Sequence, residues 1–328
     1  MLRDESKIRP VIQTNYVVEV LYLQALEDFF EKVDTSRWTK LDQCPVCQSK
    51  AISLLFAKNR FSYFRCANCE HQFINPMPDE ASVHYWYANS VSQKEFNRMI
   101  ETTTEEHRHS LYQKRLHQLQ QIAPFRSLLE IGCGTGGFLK YVKEKLPDVK
   151  VYGCDVDPFA IGLCRKNGIE GICEAAEKLE YRKYDIDIIV MWEVVEHLIQ
   201  SGLMLGAIAK NAKQGTHLVM STPNNEGFDF QILGKVYRAY LPPGHLNLFS
   251  VKSIDTVLRS VGYSSVEVKC NGQIDVSIVK GYYENNRYNP DPFFKRIFDE
   301  NQMEFLKDFQ DLLIKHNLSG NMLVHARV

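Results

Sequence analysis

No stretch of this sequence comes near the eighteen or so uncharged apolar residues that a membrane span requires. Residues 1–7 open charged and lead to no apolar signal core. A cytoplasmic protein with no membrane span is the expectation. An excess of one charge sign is also missing: 39 Lys and Arg face 40 Asp and Glu, a formal net charge of −1. That balance argues against a general nucleic-acid binder, whose affinity rests on neutralising phosphates. There is no internal repeat and no low-complexity tract. Nor is there an even, regularly spaced set of cysteines. The nine fall into two close pairs and five scattered singles, a poor basis for a secreted disulfide scaffold.

What is present divides by composition. The 328 residues are 45% apolar, enough for one large domain and something smaller. Residues 1–40 read as a helical segment, with a near-helical apolar stripe within 11–33. Residues 41–78 hold the cysteine pairs. Residues 79–122 read as a helical connector carrying an aromatic knot, Tyr85-Trp86-Tyr87. Residues 123–328 form the main domain, interrupted by insertions near 225–250 and 275–318.

Within that domain, short apolar strands at 127–131, 150–155, 169–173, 187–191 and 217–221 alternate with helical patterns. This is an α/β chain with a mostly parallel sheet covered on both faces. Residues 251–261 read as a helix and 265–270 as a strand. Residues 293–314 read as one amphipathic stretch, and 322–328 as a final antiparallel strand at the sheet edge.

Cys44-Pro45-Val46-Cys47 and Cys66-Ala67-Asn68-Cys69 are separated by eighteen residues. Two C-x-x-C pairs at that distance are a strong zinc signal, and four thiolates complete a tetrahedron with no open position. Structural zinc in a ribbon of hairpin-like runs, 51–56 and 61–65, is the expectation. His71 is a candidate substitute ligand.

Glu130-Ile131-Gly132-Cys133-Gly134-Thr135-Gly136-Gly137 lies between a strand and a helix, with Asp155 about twenty residues on. The glycines alone fit either a nicotinamide cofactor or S-adenosylmethionine. Glu130 separates them. A carboxylate disfavours a pyrophosphate, which wants bare amides, and suits a cofactor that brings a sulfonium and an ammonium.

These residues, with Gly153-Cys154-Asp155-Val156-Asp157-Pro158 and the segment from Asp187 to Leu198, resemble in order the motifs of class I S-adenosylmethionine-dependent methyltransferases. Ser221-Thr222-Pro223-Asn224 and the segment from Pro242 to Ser250 resemble later signatures of a branch that includes ubiquinone-pathway and sugar enzymes. The resemblance covers roughly residues 123–270. It implies a Rossmann-like, seven-stranded sheet and S-adenosylmethionine as cofactor. Gly132, Gly134 and Gly136 would line its methionine part, Asp155 would hold the ribose, the adenine contacts would fall near Ala176 and Glu177, and Glu130, Cys133, Val156 and Trp192 would complete the cofactor site. Many members carry an aspartate one residue before that alanine, where this chain has Ala175. A zinc ribbon ahead of such a domain looks like methyltransferases of glycan and deoxysugar pathways.

Glu193-Val194-Val195-Glu196-His197 follows the fourth strand and reads as the opening of a helix, with both carboxylates and the imidazole on one face. By resemblance to small-RNA 2′-O-methyltransferases, Glu193, Glu196, His197 and the distal His245 could hold a magnesium or manganese ion. The rival readings are His197 as a lone general base, helix-dipole carboxylates, and a packed histidine without chemistry. His197 and His245 are the base candidates. The expected activity is O-methylation of a polar small molecule or a sugar or glycan precursor. Aromatics Phe228, Phe230, Tyr237 and Tyr240 would wall the pocket. The alternatives are an RNA methyltransferase guided by the ribbon, a sugar C-methyltransferase, and a non-catalytic cofactor-binding subunit. The RNA reading meets few basic residues in 41–80, only Lys50, Lys58, Arg60 and Arg65.

Overall fold

The computed structural model describes residues 15–92 and 105–328. The charged opening at 1–7 and residues 93–104 of the connector lie outside them. In the main domain, β4 (Ser127–Ile131), β5 (Lys150–Asp155), β6 (Glu170–Cys173), β7 (Ile188–Trp192) and β8 (His217–Pro223) run parallel. They join β10 (Ser265–Cys270) and β11 (Asn321–Arg327) in one seven-stranded sheet of order β10-β11-β8-β7-β4-β5-β6. The last strand is antiparallel, as its sequence suggests, but it is not at the edge. β11 pairs with β8 on one side and β10 on the other. Met322, Val324 and Ala326 are fully buried, whereas β10 alternates exposed Ser265, Glu267 and Lys269 as an edge strand does.

Alternation sorts the strand residues to two faces. Leu128, Ile188, Val190 and Val219 pack on one side with α4 (Gly137–Lys145), α5 (Pro158–Lys166) and α3 (Glu105–Ile122). Leu129, Ile189, Met191, Leu218 and Met220 pack on the other with α6 (Ser201–Asn211) and α8 (Val251–Ser260). The chain fills β4, β5 and β6 outward and then returns to β7 beside β4. The order therefore reverses between β4 and β7, and the crevice at their carboxyl ends is where open α/β sheets bind ligands.

The cysteine module is a second, four-stranded antiparallel sheet of order β1-β2-β3-β9. Its strands are β1 (Ile52–Lys58), β2 (Phe61–Cys66), β3 (Gln72–Ile74) and the two-residue β9 (Asn247–Leu248). That fourth strand comes from the segment 225–250, which sequence reads as irregular but which also forms α7 (Phe228–Leu233). The module and this insertion share one core. Phe29, Tyr63, Phe73 and Ile74 pack with Phe230, Tyr237, Tyr240 and Leu248. The expected pocket walls Phe230, Tyr237 and Tyr240 are thus buried core residues. Their hydroxyls are satisfied internally, Tyr237 donating to Asp229 and Tyr240 to Gln72. Phe228, the fourth of that set, packs on Phe294 and Phe309.

Helix α1 (Asn15–Lys32) buries Tyr22, Ala25, Leu26 and Phe29, while Leu23 of the expected stripe faces outward. Helix α2 (Glu80–Asn89) is capped by Asp79. Helix α9 (Asp275–Glu284) precedes a pair, α10 (Pro292–Asp299) and α11 (Met303–Lys315). This pair replaces the single amphipathic stretch, broken where Asn301 takes a left-handed backbone. Among the described residues no helix is long and apolar enough to cross a membrane.

Candidate active site

The glycine loop closes onto β5. The Gly132 and Cys133 amides both donate to the Cys154 carbonyl, at 2.8 and 3.2 Å. The Gly134 amide donates to Asp155 Oδ2 at 2.9 Å, and the Asp157 amide to Oδ1 at 3.0 Å. Asp155 thus ties the loop to the end of β5. Gly134 lies at φ +52° with open space where a side chain would stand. Gly136 caps α4 at φ +77°, and a Cβ there would sit 2.7 Å from Cys164 Sγ. Only glycine takes such backbone at no cost. Val156 is 70% exposed beyond β5. Ala176 is buried after β6, its carbonyl taking the Tyr181 hydroxyl, and Glu177 beside it is exposed.

Glu130 is 5% exposed, and its Oε2 has no hydrogen-bond partner. Burial raises its carboxyl to about 8, against the opposing pull of Arg115. Trp192 Nε1 is a second buried group without a partner. The Arg115 guanidinium lies 4.6 Å from the centre of the Trp192 ring. A Cβ on Gly137 would meet the Tyr112 hydroxyl at 2.6 Å. Tyr112 and Arg115 therefore bring α3 over the loop. Neither is legible in the sequence, because nothing in the polar helix marks which face closes on the site. An unpaired buried carboxyl, an unpaired indole N–H and a cation at one end of a bare glycine cradle fit a zwitterionic amino-acid moiety such as that of S-adenosylmethionine.

The segment after β7 departs from its expected helix. Glu193 takes a left-handed backbone, φ +57°, and Val195–His197 forms a single 3-10 turn; α6 starts only at Ser201. The left-handed residue breaks the helical path, and Glu193 stays beside Glu196 while its carboxylate is held from the β8 and β11 side. Its Oε1 accepts from Ser221 Oγ at 2.6 Å and Asn321 Nδ2 at 3.1 Å. The turn touches the cofactor loop: a Cβ on Gly132 would lie 2.6 Å from Val194 Cγ2.

Glu196, His197 and His245 come together. One donor atom from each lies within 4.8 Å of the others, a set that does not include Glu193. Glu196 is fully buried. Oε2 accepts from Thr222 Oγ1 at 2.9 Å, while Oε1 has no partner and lies 3.9 Å from His197 Nε2. Burial, then the Glu193 charge, holds its carboxyl well above the usual range. His197 Nδ1 lies 2.7 Å from the Gly244 carbonyl, and His245 Nδ1 lies 2.8 Å from the Ala239 carbonyl. A carbonyl only accepts, so both Nδ1 atoms carry the hydrogen and both Nε2 lone pairs are free. Burial lowers both imidazoles, His245 to about 3. The Tyr87 hydroxyl, 2.8 Å from His197 Nδ1, completes the cluster from α2. It belongs to the aromatic knot seen in the sequence, with no spacing to tie it to His197.

The sulfurs of Cys44 and Cys69 are 3.6 Å apart, and those of Cys47 and Cys66 are 3.5 Å apart. All four lie within 4.8 Å of one another. Four thiolates about 2.3 Å from one zinc ion would be separated by roughly this distance, so the set fits structural zinc. His71 is not among them. It faces Asn247 and stacks on Phe73.

A family model described as a methyltransferase domain matches residues 104–268, half of the chain; the cysteine module lies outside the match. An uncharacterized protein of Methanocaldococcus jannaschii is 23% identical over 161 residues, 48% of this chain and 74% of its own length. A ubiquinone biosynthesis O-methyltransferase of Bartonella tribocorum is 29% identical over 181 residues, 48% of this chain and 72% of that one. A phthiotriol/phenolphthiotriol dimycocerosates methyltransferase of Mycobacterium leprae is 25% identical over 113 residues. That match covers 33% of this chain and 42% of the relative.

Proposed function

The chain belongs to the class I S-adenosylmethionine-dependent methyltransferases, and we propose that it methylates a hydroxyl oxygen of a polar small molecule or of a sugar or glycan precursor. The observation that carries this reading is the facing pair of imidazoles, His197 and His245, each held through Nδ1 by a backbone carbonyl. Their Nε2 lone pairs are free, and His197 sits on the turn that touches the cofactor loop. S-adenosylmethionine, when bound, supplies an electrophilic methyl group on sulfonium. Asp155 accepts from the ribose hydroxyls, Glu130 and Arg115 hold the ends of the methionine moiety, and the loop glycines admit it. His197 accepts the acceptor hydroxyl's proton at Nε2. Its Nδ1–H is anchored by the Gly244 carbonyl, which fixes the ring as the chemistry requires. Alignment of the hydroxyl against the methyl supplies much of the remaining rate.

A second reading is favoured by Glu196 Oε1, a buried oxygen with no partner beside two free imidazole nitrogens. Two nitrogens and one carboxylate, each histidine anchored through Nδ1–H to a carbonyl, are the donor set of a divalent metal with its outer shell in place. That set suits manganese better than magnesium, which prefers all-oxygen ligands. Zinc at Cys44, Cys47, Cys66 and Cys69 is proposed as purely structural.

The test is a screen of hydroxylated small molecules and sugars with trideuteromethyl-labelled cofactor, read by mass spectrometry. Label on an oxygen of one acceptor is expected. Label on carbon, nitrogen or RNA contradicts the proposal. Activity that falls on mild dialysis against chelator and returns with manganese selects the metal reading.

A further inference from the structure

The short strand β9 joins the cysteine ribbon to the turn that carries His197, and one residue, Leu246, separates it from His245. On one side, β9 is the fourth strand of the ribbon sheet. Gln72 pairs with Leu248 and Phe73 with Asn247, and the Ile74 amide donates to the Leu246 carbonyl at 3.0 Å. On the other side, the Leu246 amide donates to the Glu196 carbonyl at 2.9 Å. Residue 246 is thus hydrogen-bonded to the ribbon through its carbonyl and to the site through its amide.

Side chains repeat the arrangement. Asn247 Nδ2 donates to the Leu198 carbonyl at 2.6 Å, one residue past His197. This orients Asn247 Oδ1 toward His71 Nε2 at 3.0 Å, so the fully buried His71 donates from that nitrogen. His71 lies two residues beyond Cys69, and its carbonyl accepts the Cys66 amide. The Tyr63 hydroxyl, from β2, donates to the His245 carbonyl at 3.1 Å. Ser250 Oγ closes the far end on the Cys69 carbonyl at 2.8 Å.

We infer that the cysteine ribbon is a positioning element of the reaction centre, with His71 and Tyr63 as positioning residues that clasp residues 245–248 and hold His245 opposite His197. This rests on the reading of the histidine pair as the reaction centre and of the four cysteines as a zinc site. The clasp explains why a metal-stapled module sits beside a sheet with a large core of its own. A two-residue strand has little pairing energy, so its place is fixed by what it is sandwiched between.

The test is hydrogen–deuterium exchange read by mass spectrometry on the full chain, with S-adenosylhomocysteine affinity measured on the same samples. Zinc-loaded protein is compared with protein stripped of zinc by a mercurial and chelator. The expected result is exchange about tenfold or more faster at 245–248 and 196–198, with strands 127–131, 150–155 and 188–192 still protected and the affinity within about twofold. In protein with its zinc retained, His71→Phe should speed exchange at 245–248, and His71→Gln, which keeps a donor, should restore protection. Unchanged exchange at 245–248 in both arms overturns the inference. So does loss of protection throughout the main sheet together with cofactor affinity, which would make the ribbon a general stabiliser. Should the purified chain hold no zinc, the zinc reading falls and the His71 variants alone decide the clasp.

Discussion

Glu130 and His197 show how burial sets the state of a single side chain. Burial raises the Glu130 carboxyl to about 8. Between the ordinary glutamate range and that value, the folded chain keeps a proton that the unfolded chain has released. Unfolding releases a proton there, so this residue's contribution to stability falls as pH rises through the window. Glu130→Gln mimics the protonated form. Its melting temperature should match wild type near about pH 5 and exceed it by about pH 9; a difference that does not change with pH contradicts the account. For His197 the shift is downward, so the ring stays neutral and able to accept a proton below its ordinary range. His197→Gln should lower turnover by about 100-fold or more and leave cofactor affinity intact. A drop that merely follows lost thermal stability would assign the ring a packing role.

At the scale of elements, the two sheets differ in how far they can be read from sequence. The strands around Leu129, Ile189 and Met220 are short apolar runs between helical patterns, and that local signal suffices. The place of β11 is not local: Val324 pairs with both Val268 and Met220, which are distant in sequence. Strand β9 has only Asn247 and Leu248, too short for any periodicity. The Glu193 turn is hidden from sequence because carboxylates and histidine at i, i+3 and i+4 carry no information about the left-handed residue that breaks the helix. The cysteine spacing is the opposite case, since two tight knuckles leave little choice of partner. Protein purified without chelator should hold one zinc per chain, and Cys66→Ser should lose it and destabilise the ribbon, because structural zinc supplies folding energy. Elemental analysis that finds no zinc in the unmodified chain would refute this.

At the scale of the whole molecule, a cofactor crevice at the β4–β7 reversal meets a histidine pair whose second member sits on the far side of an insertion. Three separate stretches of chain build that centre. The β7 turn gives Glu196 and His197, the insertion gives His245, and α2 gives Tyr87. The cofactor half was legible because one strand, one loop and one acid lie close in sequence. The acceptor half was legible only as isolated residue types, since Tyr87 and His245 reach His197 through tertiary packing. The claim that everything else depends on is that the crevice binds S-adenosylmethionine through Asp155. Titration calorimetry with S-adenosylhomocysteine tests it most directly. The account predicts one molecule bound per chain, and an Asp155→Ala variant, still folded, weakened by about 1.5–3 kcal/mol, the value of hydrogen bonds to a charged group. Unchanged affinity in that variant, or wild-type protein that ignores S-adenosylhomocysteine and binds a nicotinamide dinucleotide instead, would contradict it.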